Sequence, residues 1–388
     1  MYKIFFLSLL LCIWETTVLQ AQDFQKLHKD MVVVDGHNDV IISSILKGRD
    51  IGKALTMGHT DIPRLQKGGV DVQVFAVWSN DQKWKKNAFK HANEQIDSLE
   101  SVIQRNSAHI QLAKSTQQIN DILKQGKIVA LIGIESGNMI EGSIRNLEKL
   151  HERGAKYLTL TWNYNLPWAT AAAIEDKKPM KEQKGLSEEG RKIIRRMNEL
   201  GMMIDLSHAS KKTFYDVLQI STKPVLVSHS NAAALTPHFR NLDDRQLAAL
   251  KKNGGVIGVN FYSGFLDKTY NSRVSALYRK QFSRPPAENE SIWTQYEKLH
   301  SKNRHLADTP LSNLLDHIDY LVQKLGIDHV AIGSDFDGIE STPQGLEDVS
   351  KFPDLTKALW ERGYSEGDIA KIMGLNLLRI LKENEATK

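Results

Sequence analysis

His37 and Asp39 stand two positions apart in the segment 35–39 (DGHND), which directly follows the apolar run 31–34. Residues i and i+2 of a strand point to the same side, so these two side chains converge just beyond the end of a strand. An imidazole beside a carboxylate is a ligand pair that suits zinc or a similar divalent ion. The segment therefore predicts half of a metal site.

Four further residues of ligand or acid–base type stand at or just beyond the ends of other short apolar runs: Glu135, His208, His229 and Asp335. Taken singly, such a carboxylate is usually a helix cap or a solvated loop residue, and such a histidine is usually a hydrogen-bonded core residue. Their recurrence at the ends of separate runs instead favours one shared metal site.

This set of residues is sufficient for two metal ions. Glu135 can bridge the ions with its two oxygens, while His37 and Asp39 complete one half of the centre and His208 and His229 complete the other. A water molecule between two cations loses a proton near neutral pH and becomes a nucleophile. The pattern predicts a hydrolytic centre whose residual positive charge favours an anionic substrate.

Short β-type runs alternate with amphipathic helical stretches along the whole chain, which predicts right-handed crossovers and a parallel sheet. Eight such runs fit a closed (β/α)8 TIM barrel of the α/β class, in which reactive residues gather at the carboxyl ends of the strands. An open doubly wound sheet is the alternative. The candidate strands are 31–34, 70–78, 128–134, 157–161, 202–205, 225–228, 255–260 and 329–333.

The length of 388 residues and the hydrophobic content of 41% allow one large barrel domain, which we expect over 22–388. The segment at about 262–305 is polar, and we expect it to be an irregular excursion that forms a lid over the barrel mouth or an interface element. The net charge is +5, and lysines and glutamates interleave without a basic stripe. Nucleic acid is therefore not an expected partner.

The N-terminus reads as a secretory signal, with Lys3 before the apolar stretch 4–14 and with Ala21 at the expected cleavage point. The apolar stretch is too short to span a bilayer, so we expect no transmembrane segment in the mature chain. Cys12 is the only cysteine and would leave with the signal, which excludes a disulfide framework. We expect an exported protein that is periplasmic in a Gram-negative source or else secreted.

Several blocks together resemble the membrane (renal) dipeptidase family, peptidase family M19, of the amidohydrolase superfamily. They run in order along nearly the whole mature chain, and as a set they are far more specific than any one of them. The blocks are DGHND (35–39), HTDIPRL (59–65), DLSH (205–208), SHS (228–230), FRN (239–241), DFDG (335–338) and GLED (345–348).

The resemblance implies a (β/α)8 barrel of the metal-dependent amidohydrolase type, two zinc ions and hydrolysis of dipeptides, and members of the family often form homodimers. It assigns to Arg240 the guanidinium that binds the carboxylate of the substrate, and to Asp335 the carboxylate that acts as acid and base. Both roles suit the chemistry of these groups. It assigns the bridging position of the catalytic centre to Glu135. The implied metal ligands are His37, Asp39, Glu135, His208 and His229.

One position departs from the family pattern, in which the fourth strand commonly ends in a histidine that helps to hold the scissile carbonyl oxygen. Trp162 stands there in this chain, followed by Asn163 and Tyr164. An indole N–H donates one hydrogen bond but carries no positive charge. Asn163 or Tyr164 could supply the missing contact to the substrate. Alternatively, Trp162 could form part of the pocket wall and narrow the range of substrates that the pocket accepts.

The sequence predicts a zinc-dependent dipeptidase that uses a metal-bridging hydroxide and a small dipeptide substrate. Two alternatives remain open. One is another amidohydrolase, acting on N-acyl amino acids, lactones or cyclic amides, although a bridging glutamate favours the dipeptidase branch. The other is a catalytically impaired, dipeptide-binding barrel, because Trp162 replaces the usual histidine.

Overall fold

The computed structural model describes residues 24–177 and 184–386, and a parallel barrel surrounded by helices forms its centre. The predicted signal segment lies outside the described residues. The strands are β1 (Val34–Asp35), β2 (Val72–Trp78), β3 (Ile110–Leu112), β4 (Ile128–Glu135), β5 (Ala155–Thr159), β6 (Met203–Asp205), β7 (Leu226–Ser230), β8 (Val256–Val259) and β9 (Val330–Ile332).

Eight of these strands follow one another around the barrel in the order β1-β2-β4-β5-β6-β7-β8-β9, and every pairing is parallel. The first and last strands meet through backbone hydrogen bonds: Gly36 N–H donates to the Ile332 carbonyl and Asp335 N–H donates to the His37 carbonyl. The seam is thereby closed beside two of the predicted site residues. The predicted (β/α)8 barrel is confirmed, and the open doubly wound sheet is wrong.

The strand β3 is one that the sequence pattern did not predict. It pairs with the first residues of β4 on the side that β5 occupies further along, and it stands outside the ring of eight. Its burial is uneven, since Ile110 is buried and Gln111 is exposed. A run of three residues with one buried position carries too weak an alternation to be recognised as a strand.

The helices that cover the barrel bury their apolar faces against the outer faces of the strands, in one continuous core. Their bounds are Val40–Ser43, Ile62–Lys67, Ala88–Arg105, Thr116–Leu123, Ile144–Glu152, Ala172–Glu175, Glu188–Leu200, Lys211–Leu218, Asp244–Asn253, Ser263–Leu266, Tyr270–Phe282, Ile292–Lys298, Ser301–Arg304, Leu311–Leu325, Phe352–Glu361, Glu366–Ala370 and Asn376–Asn384. Shorter 3₁₀ or π turns lie at Ile45–Lys47, Gly137–Ile140, Ile327–His329, Val349–Lys351 and Lys371–Leu375. In the described ranges, no helix is both long enough and apolar enough to cross a membrane.

Alternation along β4 aims Glu135 into the barrel. Val129 and Leu131 belong to the cluster that fills the barrel interior, and residues two apart on a strand share a face, so Gly133 and Glu135 continue the same row. A side chain at Gly133 would collide with the ring of Tyr157, which crosses the barrel at this level. Glycine here lets the Tyr157 hydroxyl reach the site above it.

The segment expected to be an irregular excursion at about 262–305 is in fact largely helical, so the prediction of irregularity is wrong. Its two longest helices are Tyr270–Phe282 and Ile292–Lys298. They enclose a small core of their own, whose members include Tyr278, Tyr296 and Leu299. The polar outer faces of the two helices hid this narrow apolar seam in the sequence.

Candidate metal centre and active site

The predicted ligands meet around Glu135 at the carboxyl ends of their strands. One carboxylate oxygen, Oε2, lies 3.3 Å from His37 Nε2, and the other, Oε1, lies 3.1 Å from His208 Nε2 and 3.7 Å from His229 Nε2. Asp39 Oδ2 lies 3.5 Å from His37 Nε2. All five side chains are buried. Glu135 therefore separates two histidine-bearing halves, with one oxygen facing each.

Hydrogen bonds at Nδ1 orient all three imidazole rings. The Tyr157 hydroxyl donates to the Gly36 carbonyl and lies 2.8 Å from His37 Nδ1, so it accepts a hydrogen bond from that nitrogen. Asn163 Oδ1 accepts from His208 Nδ1 at 2.9 Å. A neutral imidazole with a proton on Nδ1 presents a lone pair at Nε2. The rings of His37 and His208 are thus held in the tautomer that a metal requires.

His229 is held in the same way through two buried residues. Ser228 Oγ lies 2.8 Å from His229 Nδ1 and donates to the Asp205 carboxylate at 2.7 Å. Because the hydroxyl proton goes to Asp205, Ser228 accepts from His229 Nδ1–H. All three Nε2 atoms therefore face the Glu135 carboxylate, and those of His208 and His229 are only 3.1 Å apart.

Two buried aspartates behind the ligands are functional residues whose roles the sequence analysis did not predict. Asp205 accepts hydrogen bonds from the backbone N–H groups of Ser207 and Ser228. Asp35 accepts from the N–H and the hydroxyl of Ser334, and from Gln73 Nε2. Both aspartates precede a ligand histidine by two or three positions, which is the signal that could have identified them as supports for the metal ligands.

The electrostatics of the cluster favour a bound cation. Burial lowers the pKa of His208 to about 3, with a further lowering by Arg240, so this imidazole is neutral at physiological pH. Burial would raise the pKa of Glu135, but His37 and His208 outweigh it and hold that pKa well below its usual range. Burial would lower the pKa of His37, but Tyr157 and Glu135 outweigh it and raise that pKa well above its usual value. The carboxylates beside His37 Nε2 thus stabilise a positive charge at this point, whether it is a proton or a bound cation.

The donor set fits divalent metal ions. His37 Nε2 is buried and has no hydrogen-bond partner among the described residues, although carboxylate oxygens surround it. Two overlapping groups bring potential ligand atoms within 4.8 Å of one another: His37, Glu135 and His229, and His37, Asp39 and Asp335. Imidazole nitrogens combined with carboxylate oxygens form the ligand chemistry of zinc hydrolases.

Asp335 lies beside the ligands and is held in a strained backbone conformation. Its φ is 63°, and that of His208 is 64°, in the left-handed region that non-glycine residues seldom adopt. Asp335 Oδ2 accepts a hydrogen bond of 2.8 Å from Asn260, and Oδ1 lies 4.0 Å from His37 Nε2. Burial raises the pKa of Asp335 well above its usual range, and Asp39 and Glu135 act in the same direction. A carboxyl group in this setting holds a proton more readily than an ordinary aspartate does.

Arg240 brings a buried guanidinium to the same cavity. Its Nη2 donates to the His229 carbonyl at 3.2 Å, and its plane lies over Phe265 at 5.5 Å from the ring centroid. Its Nε–H is buried without a hydrogen-bond partner among the described residues. Burial lowers the pKa of Arg240 to about 10, so the group stays cationic at neutral pH. It can bind a carboxylate that enters the cavity.

The cavity is lined by two of the three residues at which the sequence departs from the family pattern. Trp162 lines the cavity, with its ring centroid 6.4 Å from that of His208. Asn163 also lines the cavity, but its carboxamide oxygen is engaged by His208. Tyr164 packs at 5.9 Å from the Trp162 ring and is not among the residues that line the cavity. The cavity has a volume of about 720 Å³, within the range of about 300–1,000 Å³ usual for small-molecule sites.

Comparisons with known proteins identify one family of peptidases. The family model described as membrane dipeptidase (peptidase family M19) matches residues 21–388. An uncharacterised dipeptidase of Schizosaccharomyces pombe is 33% identical over 391 residues, covering 96% of this chain and 85% of the relative. A dipeptidase of Claviceps purpurea is 33% identical over 336 residues, covering 84% of this chain and 70% of the relative.

Solved structures show the same fold. A probable dipeptidase from Pseudomonas aeruginosa matches with a TM-score of 0.78 and 25% identity, covering 94% of this chain and 98% of that one. A metallopeptidase from Rhodobacter sphaeroides, liganded with a phosphinate mimic of the dipeptide L-Ala-D-Ala, matches with a TM-score of 0.74 and 25% identity, covering 92% and 100%. The chain is therefore a hydrolase of the metallopeptidase class and belongs to the membrane dipeptidase family, peptidase family M19.

Proposed function

We propose that this protein hydrolyses the peptide bond of dipeptides with two zinc ions, held by His37 and Asp39 on one side and by His208 and His229 on the other. Glu135 would contribute one oxygen to each ion. The observation that carries the proposal is the convergence of three buried imidazole Nε2 atoms on one buried carboxylate, at 3.1–3.7 Å from its oxygens, with a second carboxylate, Asp39, beside His37. Bound zinc would supply Lewis acidity and lower the pKa of water to near neutrality.

Asp335 is the proposed acid–base catalyst. Its Oδ1 lies 4.0 Å from His37 Nε2, beside the ligand cluster, and Asn260 fixes its Oδ2. Its raised pKa allows it to take a proton from the attacking water and to deliver that proton to the leaving amine. Without this transfer the amine would leave as an unstable anion.

Arg240 is the proposed anchor for the C-terminal carboxylate of the substrate. It is buried and cationic, it lines the cavity that holds the metal ligands, and its Nε–H has no hydrogen-bond partner within residues 24–177 and 184–386. A guanidinium can form two parallel hydrogen bonds to a carboxylate, which fixes the direction of the substrate as well as its position. The distance between Arg240 and the metal ions is fixed, so the substrate carboxylate must lie at a set distance from the bond that is cleaved. Longer peptides would therefore be excluded.

The experiment that tests this proposal combines metal analysis with a substrate panel. The purified full-length chain should contain about two zinc ions per molecule, and it should hydrolyse dipeptides but not tripeptides. Activity should disappear after chelation and return with added zinc. Full activity after complete metal removal would refute the proposal. Turnover of N-acyl amino acids, lactones or cyclic amides in place of dipeptides would favour another amidohydrolase activity, and tight dipeptide binding without turnover would favour a non-catalytic barrel.

We also propose that the protein is exported after cleavage near Ala21 and pairs as a homodimer. The basic start followed by a short apolar stretch supports export. N-terminal sequencing of the protein from its native source and sedimentation of the mature chain would test the two parts separately. A retained N-terminus contradicts export, and a monomer at micromolar concentration contradicts pairing.

A further inference from the structure

Four of the seven tryptophans in the chain line the cavity that holds the metal ligands: Trp78, Trp84, Trp162 and Trp293. We call this set the tryptophan wall. Three of its members are half-buried, and Trp293 is 41% exposed. Large aromatic side chains at the surface of a cavity indicate a binding surface, because core packing does not require them there.

The wall lies directly beside the proposed metal centre. Trp78 ends β2 and is paired in register with Glu135 at the end of β4. Trp162 follows β5, on the other side of β4, and meets Trp78 edge-to-face with ring centroids 5.0 Å apart. The two rings therefore flank the bridging carboxylate.

The ring positions are fixed by the surrounding structure. The buried Gln95 holds both backbone groups of Trp78, accepting from its N–H at 3.1 Å and donating to its carbonyl at 2.7 Å. Trp84 is stacked on His91 with centroids 3.9 Å apart and planes inclined by 10°. A wall that is already ordered loses little conformational entropy when a ligand packs against it.

The β2 side of the tryptophan wall, formed by Trp78 and Trp84, stands across the barrel from Arg240. In the ring of eight strands, β2 is the second and β7 is the sixth, so Trp78 and the loop after β7 that carries Arg240 lie on opposite sides of the mouth. A dipeptide anchored at Arg240 by its carboxylate, with its peptide bond at the metal ligands between them, directs its N-terminal residue towards the wall. The β2 side of the wall is thus placed to contact the N-terminal side chain and not the C-terminal one.

We propose that the preferred substrates are dipeptides whose N-terminal residue is aromatic, bound by the tryptophan wall. This inference rests on the proposed dipeptidase function. Aromatic rings pack edge-to-face or offset against one another, and a ligand ring can add to the edge-to-face arrangement that Trp78 and Trp162 already form. Burial of one phenylalanine side chain corresponds to a gain of about 10- to 100-fold in kcat/KM.

The test compares Phe-Ala, Ala-Phe and Ala-Ala as substrates of the zinc-loaded, full-length enzyme. We expect kcat/KM for Phe-Ala to exceed that for Ala-Ala by at least about tenfold, with no comparable gain for Ala-Phe. Trp78→Leu and Trp84→Leu should each reduce the preference for Phe-Ala, while turnover of Ala-Ala reports whether the fold and the metal centre are intact. Trp360→Leu is the matched control, because this half-buried tryptophan lies on the helix Phe352–Glu361 and does not line the cavity.

Each outcome decides between the inference and the function on which it rests. Equal turnover of Phe-Ala and Ala-Ala, or a preference for Ala-Phe, overturns the inference and leaves the dipeptidase function standing. Failure to hydrolyse any dipeptide overturns the proposed function. In that case the binding affinities for Phe-Ala and Ala-Ala can still be measured by titration, with tryptophan fluorescence as the signal. Equal affinities for the two dipeptides overturn the inference.

Discussion

Asp205 determines the tautomer of His229 without touching its ring, through the hydroxyl group of Ser228. Asp205 Oδ2 accepts from the Ser228 hydroxyl at 2.7 Å, and the same hydroxyl oxygen lies 2.8 Å from His229 Nδ1. Thr159 donates its hydroxyl to the same carboxylate oxygen. The direction of this short chain of hydrogen bonds leaves His229 Nε2 free to bind a metal.

Asp205→Asn should therefore weaken metal binding at the His208 and His229 half of the centre. The amide N–H₂ would donate to Ser228 Oγ, the hydroxyl would turn to donate to His229 Nδ1, and the proton of His229 would move to Nε2. Loss of such a supporting hydrogen bond typically lowers metal affinity by about 10- to 100-fold. Equilibrium dialysis against zinc buffers measures the effect, and Asp244→Asn on the exposed helix Asp244–Asn253 is the control. Unchanged zinc affinity would contradict the proposed tautomer.

Arg240→Ala should remove the discrimination between a dipeptide and its C-terminal amide. Loss of a buried, hydrogen-bonded charge partner costs about 2–5 kcal/mol, so kcat/KM for the dipeptide should fall by roughly 30-fold or more. The amide, which has no carboxylate to bind, should be hydrolysed at a nearly unchanged rate. Arg105→Ala, at the exposed end of the helix Ala88–Arg105, should leave both substrates unaffected. Equal losses for the two substrates would mean that Arg240 does not bind the carboxylate.

Asp335→Asn should lower kcat for dipeptides by about 10²–10⁴, because asparagine cannot carry the proton to the leaving amine. An ester analogue of the dipeptide should lose less, since an alcohol leaves with less need of protonation than an amine. Stopped assays on the matched amide and ester provide the comparison, and zinc content measured on the same samples checks that the metals are retained. Equal losses for amide and ester would argue against proton delivery by Asp335.

His317 should make stability depend on pH, because burial lowers its pKa to about 4. Its Nδ1 accepts a hydrogen bond of 3.1 Å from Ala232 N–H, which requires the neutral ring. Since the unfolded chain binds this proton near pH 6.5, the contribution of His317 is complete above pH 6.5 and is lost as the pH falls towards 4. The amount is on the order of 3 kcal/mol.

Urea unfolding of the wild type and of His317→Gln at several pH values tests this dependence. The free-energy difference between them should shrink as the pH falls from 7 to 4, because glutamine keeps an acceptor for Ala232 but does not titrate. His300→Gln, at an exposed position, should show a difference that does not vary with pH. A constant difference for His317→Gln would refute the prediction.

The barrel and the meeting of the ligand residues could be predicted because they follow from local patterns. Each strand is a short apolar run, and parallel strands joined by helices place all their carboxyl ends at one face. His37 and Glu135 therefore had to approach each other once their strands were recognised. The excursion was harder to predict, because the seam between its two helices is narrow and most of their surface is polar.

The sequence by itself determined which residue types stand at the strand ends, and hence the metal-site chemistry and the barrel that gathers it. The tertiary structure alone decided which nitrogen of each histidine faces the centre, through Tyr157, Asn163 and the pair Ser228 and Asp205. It also decided that Trp78 packs against Trp162 and lies opposite Arg240. The physical reason is that hydrogen-bond direction and ring packing depend on side chains from different strands, whose separations of a few ångströms no spacing along the chain encodes.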